Sequence, residues 1–167
     1  LGRWVPPAGR GMRESITLDI VEETGFDLID DAYNANPTSM AAALDVLLAA
    51  QPKHGVGRVG QGRRIAVLGD MLELGATEIE LHKAIAQHPG LDAIDTIHCV
   101  GPRMRMLWYA LPRGQQGDWV ASAAELAVRA RSLVDAGDVV LVKGSKGIKV
   151  SLVVDAQTTT LGQASGL

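Results

Sequence analysis

Three short apolar runs, each stopping abruptly at small or polar residues, constrain this chain more than any other feature. Ile65–Leu68 ends at Gly69-Asp70, Thr96–Val100 at Gly101-Pro102, and Val139–Val142 at Lys143-Gly144-Ser145. Such runs are too short for buried helices, and their apolar continuity suits strands covered on both faces. Segments of about 10–15 residues with apolar side chains at helical spacing lie between them. Strand and helix in alternation predict an α/β fold with a mostly parallel sheet of about six strands and helices on both faces.

Ser15–Glu22 differs, because it alternates apolar and polar residues, and is expected to form an antiparallel edge strand. A turn at Thr24-Gly25 then leads into Phe26–Asp31, a strand ending on an acidic pair. Asn36-Pro37 opens a helix, with Asn36 as N-cap, Pro37 in the first turn and Ser39 at the third helical position. Met40, Ala43, Leu44, Leu47 and Leu48 give that helix its apolar face, and residues 51–63 read as an exposed loop. Thr77-x-x-Glu80 predicts a capping box for a helix that ends near His88-Pro89-Gly90. A helix to about Leu111 and a short strand at Trp119–Ala121 follow. Ser122-x-x-Glu125 caps a helix running to about Asp135, and a last helix is expected around 148–156. Residues 1–14 read as a lead-in, 15–157 as the domain and 158–167 as a polar tail.

The length of 167 residues suits one domain with a real core. Sixteen Lys and Arg against 19 Asp and Glu give a net charge of −3, with no basic stripe to attract nucleic acid. No stretch reaches the roughly 18 apolar residues of a membrane-spanning helix. One cysteine, Cys99, rules out a disulfide framework and a cysteine zinc site. The opening residues lack the apolar stretch of a signal peptide and an initiator Met, so the chain is expected to belong to something longer.

Ligands of open α/β sheets bind at the carboxyl ends of the strands. Asp30, Asp31, Asp70, Lys143 and Ser145 all fall at such ends, which predicts a site along that edge. Asp31, Asp70 and Lys143 also fit a phosphoreceiver, whose carboxylates hold Mg²⁺, although a preceding strand pair argues against it. A Rossmann-like interaction module without catalysis is a further alternative. Gly55-x-Gly57-x-x-Gly60 matches a dinucleotide fingerprint in letters, yet it follows a helix and precedes a strand, the wrong context. His54, His82, His88 and His98 lack metal-ligand spacing, and His82 is placed to pair with Glu78 one helical turn earlier. Cys99 reads as a small buried hydrophobe.

The string Asp31-Ala32-Tyr33-Asn34-Ala35-Asn36-Pro37-Thr38-Ser39-Met40 crowds functional side chains into one strand-to-helix turn. Together with Arg64–Gly75, His82 downstream, Leu141–Lys146 and the lead-in Pro6–Gly11, it resembles the Mur ligase family of peptidoglycan synthesis. The resemblance implies the third, Rossmann-like domain of a cytoplasmic three-domain ligase. The central ATPase domain, with its phosphate loop and Mg²⁺ ligands, and the domain for the UDP substrate would lie elsewhere. It implies ATP as cosubstrate, with no metal ligand in these residues. Arg10 would reach the ATP γ-phosphate and serve catalysis, since a guanidinium offers a fork of donors to phosphate oxygens. Asp31 would bind the ribose hydroxyls, and Tyr33, Asn34 and Asn36 would shape the nucleotide side of the cleft, Asn36 also the amino-substrate side. Lys143, Ser145 and Lys146 would meet the amino substrate, with no division of roles between Lys143 and Ser145. Lys146 stands where relatives carry Arg, which keeps the charge but not the fork. The Asp31–Met40 string points to the family's reaction of D-alanyl-D-alanine with UDP-N-acetylmuramoyl-tripeptide. The role of Asp70 and Glu73 is left open between structure and function. The isolated chain is expected to be monomeric and inactive.

Overall fold

The computed structural model describes residues 12–19, 24–31, 35–55 and 61–144. The strands are β1 (Met12–Asp19), β2 (Thr24–Asp31), β3 (Arg64–Gly69), β4 (Thr96–Val100), β5 (Gln116–Val120) and β6 (Val139–Lys143). The helices are α1 (Pro37–Ala49), α2 (Glu78–Ala84), α3 (Arg105–Ala110) and α4 (Ala123–Ala127). Short 3₁₀ turns flank α2 and follow α4.

The expected wound sheet of about six strands needs correction, because only five strands belong to the parallel ladder. The Rossmann-like sheet is five-stranded and all-parallel, in the order β2-β6-β3-β4-β5. No strand within it runs antiparallel. Met12–Asp19 pairs antiparallel with β2 alone, outermost in the order β1-β2-β6-β3-β4-β5, and lies outside the parallel ladder. Alternation in a sequence reports a two-faced strand, but not whether that strand belongs to the wound sheet. That strand also begins three residues before the expected Ser15, and Thr24-Gly25 belongs to β2 rather than to a turn.

Chain order dictates the layers. The chain moves from β2 past β6 to β3, then to β4 and β5, and doubles back to insert β6 between β2 and β3. Right-handed crossovers in opposite directions put their helices on opposite faces. Accordingly, α1 packs Met40, Leu44 and Leu47, and α3 with its N-cap packs Leu107 and Met104, on Ile29, Ala66, Leu68, Cys99 and Leu141. The return helix α4 and the turn after it pack Leu126, Ala130 and Leu133 on Phe26, Leu28, Val67 and Val140. β6 is buried at all five positions because it is central, which explains the unbroken apolar run.

Several local expectations are refined. Asn36 caps α1, its Oδ1 accepting the Ser39 N–H at 2.8 Å while Ser39 Oγ accepts the Asn36 N–H at 3.0 Å. At the second expected box, Thr77 makes no capping bond, because a 3₁₀ turn at Gly75–Thr77 precedes the helix. Glu125 does reach back, accepting the N–H groups of Ala121 and Ser122 at 2.8 and 3.2 Å. α4 nevertheless stops at Ala127 instead of near Asp135. At the amino edge, Asp138 joins β6 to β3. Its carboxylate accepts the Arg63 and Asp135 N–H groups and pairs with the Arg63 guanidinium at 2.8 Å. Burial pushes this carboxyl up from its ordinary value, and Arg63 pulls it partly back. The expected helix at 148–156 and the tail lie outside the described residues.

Candidate ligand-binding edge

The reversal in strand order places β6 between β2 and β3, and a switch of this kind opens a crevice at the carboxyl ends of the strands. Three predicted positions meet there. Asp31 is the register partner of Lys143 across β2 and β6, and Lys143 is level with Leu68 of β3. Asn36 opens α1 at the same edge, five residues beyond Asp31. The backbones of Gly69 and Gly144 approach so closely that a Cβ on Gly69 would collide with the Gly144 carbonyl. Gly144 adopts φ +75°, a conformation other residues enter at a cost, so the chain can turn sharply after Lys143.

Lys143 is only 1% exposed, and it is not without interaction partners. In this conformation its side chain is therefore covered. The N-cap fixes Asn36 more narrowly than sequence reasoning could. Its Oδ1 already accepts the Ser39 amide, while its NH₂ donors take no part in the cap and are the groups that suit a ligand oxygen. Of the other predicted residues, Arg10, Tyr33, Asn34, Ser145 and Lys146 lie outside the described residues.

Asp70 departs from the phosphoreceiver pattern. Its Oδ1 accepts the Met104 N–H at 2.8 Å, and its Oδ2 accepts the Arg103 N–H at 3.2 Å with the guanidinium at 3.4 Å. The carboxylate packs so tightly on Gly101 that a Cβ there would strike it. Asp70 thus ties the end of β3 to the entrance of α3. Among the described residues, no group of three or more His, Cys, Asp or Glu side chains could hold a metal ion.

The histidines act structurally. His54 Nδ1 accepts the Gly62 N–H, His88 pairs with Asp45 at 2.8 Å, and His98 Nδ1 accepts the Asp118 N–H. His82 does not pair with the Glu78 side chain as expected from its spacing. Its Nδ1–H donates to the Glu78 carbonyl at 2.6 Å, and its Nε2 accepts the Met71 N–H at 3.0 Å. The Glu78 carboxylate instead binds the Arg103 guanidinium at 2.7 Å. Arg103 joins two acids from different elements, and no spacing rule could have found it. Burial pushes the Cys99 thiol up to about 12, so it is inert as expected.

A wound parallel sheet with helices on both faces and a reversal in strand order defines a domain of the Rossmann-like class. Residues 18–146 match the family described as Mur ligase, glutamate ligase domain, and the chain belongs to that family. It is 32% identical over 148 residues to the UDP-N-acetylmuramoyl-tripeptide--D-alanyl-D-alanine ligase of Bacillus subtilis, covering 86% of this chain and 30% of that protein. The chain thus spans about a third of the length of the curated relative. Its fold is similar to that of the MurF ligase from Thermotoga maritima, solved with ADP, with a TM-score of 0.64. That match has 22% identity and covers 97% of this chain and 33% of the other. The UDP-N-acetylmuramoylalanyl-D-glutamyl-2,6-diaminopimelate--D-alanyl-D-alanyl ligase of Acinetobacter baumannii is similar at 27% identity and a TM-score of 0.59. It covers 90% of this chain and 29% of that one.

Proposed function

We propose that this chain is the C-terminal domain of an ATP-dependent ligase that joins D-alanyl-D-alanine to UDP-N-acetylmuramoyl-tripeptide in peptidoglycan synthesis. The observation that carries this reading is the likeness to an enzyme of that name across 86% of the chain. The edge chemistry supports it. The β2–β6 register sets the Asp31 and Lys143 positions level with each other at one edge. The Asn36 NH₂ adds donors, which suit phosphate or carboxylate oxygens.

In this reading the tripeptide carboxylate takes the γ-phosphoryl group of ATP and ADP leaves, the amine of the dipeptide attacks the acyl phosphate, and phosphate and a proton leave as the amide forms. This chemistry needs a closed cleft from which water is excluded. The domain forms one wall of that cleft, and the central ATPase and UDP-substrate domains form the rest. In this assignment Arg10 serves the γ-phosphate, Asp31 the ribose, and Tyr33, Asn34 and Asn36 the nucleotide, Asn36 also the amine. Lys143, Ser145 and Lys146 serve the dipeptide. Mg²⁺ would neutralise phosphate charge from ligands on the central domain. The ligase works in the cytoplasm, where its nucleotide substrates are.

Asn36→Asp tests the reading without disturbing the fold, because a carboxylate still accepts the Ser39 N–H and still caps α1. The variant loses the NH₂ donors and adds negative charge. Phosphate release by the full-length ligase, measured across a panel of amino substrates, should show D-alanyl-D-alanine preferred. It should fall about tenfold or more in Asn36→Asp at unchanged melting temperature. Preference for a different amine would refute the substrate assignment. Undiminished activity of Asn36→Asp would remove Asn36 from the site.

A further inference from the structure

The loop between β3 and α2 is tied down at both ends and bare at its tip. Asp70 anchors its start on the Met104 and Arg103 amides, and Arg103 links that carboxylate to Glu78 at its end. Between them stands the His82 ring, 0% exposed, bound to the Met71 amide and the Glu78 carbonyl. The Met71 side chain is buried too. What this frame presents is Leu72, 61% exposed, followed by Glu73 at φ +60°. Among the described residues, Glu73 alone carries a positive φ without being glycine. Such backbone is sterically costly, and it persists only where the surroundings dictate it.

The frame stands next to the proposed site. Gly69 packs its backbone on Gly144, the residue after Lys143, so the loop leaves β3 beside the end of β6. Neither ring nitrogen of His82 is spare. Because Nε2 accepts, the proton sits on Nδ1, where it meets the Glu78 carbonyl. A ring so committed holds two backbone groups of the loop at a fixed separation.

The geometry points to His82 as a positioning residue. Through the Met71 amide and the Glu78 carbonyl it fixes the Leu72–Glu73 tip at the carboxyl edge, and so shapes the amino-substrate side of the ligase site. The substrate half of this inference rests on the proposed function, and the loop half does not.

His82→Phe keeps an aromatic ring but can neither donate nor accept, whereas His82→Gln retains one group of each kind. Two measurements separate positioning from mere folding. Hydrogen exchange on the chain should show the Met71 amide opening about tenfold faster in His82→Phe, with Val67 and Leu141 still protected. Kinetics of the full-length ligase should show KM for D-alanyl-D-alanine rising about tenfold, with KM for ATP within about twofold. His82→Gln should recover part of both changes. Unchanged Met71 exchange overturns the inference. So does uniform acceleration across β3 and β6 with a proportional fall in kcat, which marks a histidine that only stabilises the fold. If the unmutated ligase turns over no amino substrate, the proposed function fails, while Met71 exchange still decides whether His82 holds the loop.

Discussion

His98 sits inside β4 with Nδ1 accepting the Asp118 N–H at 3.0 Å, so a proton on that nitrogen would displace a bond already made. Burial holds its pKa below the ordinary 6.5, Asp118 opposes the shift, and Arg129 and Arg63 add to it. The unfolded chain binds a proton near pH 6.5 that the folded chain refuses. Stability is therefore full above about 6.5 and is lost as pH falls below that value. Urea unfolding midpoints at pH 7.5 and 5.5 should show this, with at most about 1.4 kcal/mol per pH unit from this group. His98→Gln should flatten the slope, and an equal slope in the variant would remove His98 as its source. Residue types were legible in the sequence as structural or buried, and Cys99 and His98 are both. Their partners were not legible, because Asp118 reaches His98 from a neighbouring strand and Arg103 reaches Asp70 from a different loop.

At the scale of elements, the contact between Gly69 and Gly144 is a tight joint between two central strands. β3 and β6 run parallel as central strands, and the end of β3 has no room for a side chain against the Gly144 carbonyl. Gly69→Ala should destabilise the fold by about 1–3 kcal/mol, the cost of overpacking a filled core, as measured by chemical denaturation. A neutral result would mean that the strand ends separate freely. Gly75→Ala offers a contrast, since open space surrounds that position and only its φ of +73° resists. The strands that could be read from sequence are those buried on both faces, because burial removes the polar interruptions. β5, half-buried at every position, was expected only at Trp119–Ala121, although it begins at Gln116. Its residues face solvent on one side and so carry no continuous apolar signal. α2 and α4 were expected to be longer because helical spacing continues through 3₁₀ turns, which share nearly the same face.

For the whole molecule, Cys99 reports integrity. It is fully buried in the core between the sheet and the face of α1 to α3, and its thiol is pushed up to about 12. Labelling by a thiol reagent at pH 8 should therefore follow global unfolding, with the urea dependence of the circular dichroism transition. Fast labelling in the absence of urea would mean that this layer opens locally. On the proposed function, the same folded chain should form no amide from ATP, D-alanyl-D-alanine and the UDP-linked tripeptide when tested alone. Turnover by the 167 residues would refute the division of labour between domains. Among the described residues no helix is long and apolar enough to cross a membrane.

The sequence by itself determined the class of fold, the central strands and the start of α1. These follow from local rules: apolar continuity for a strand buried on both faces, and a capping box written within four residues. It also carried the family, through the Asp31–Met40 and Leu141–Lys146 strings. Only the tertiary structure decided that the parallel sheet has five strands, with Met12–Asp19 outside it, and that β6 inserts between β2 and β3. It alone placed Asp31 level with Lys143, covered that lysine, and turned Asp70 and His82 into anchors of one loop. The physical reason is that hydrogen-bond partners and strand neighbours are chosen in space, and spacing along a chain does not record which distant segment arrives to meet them.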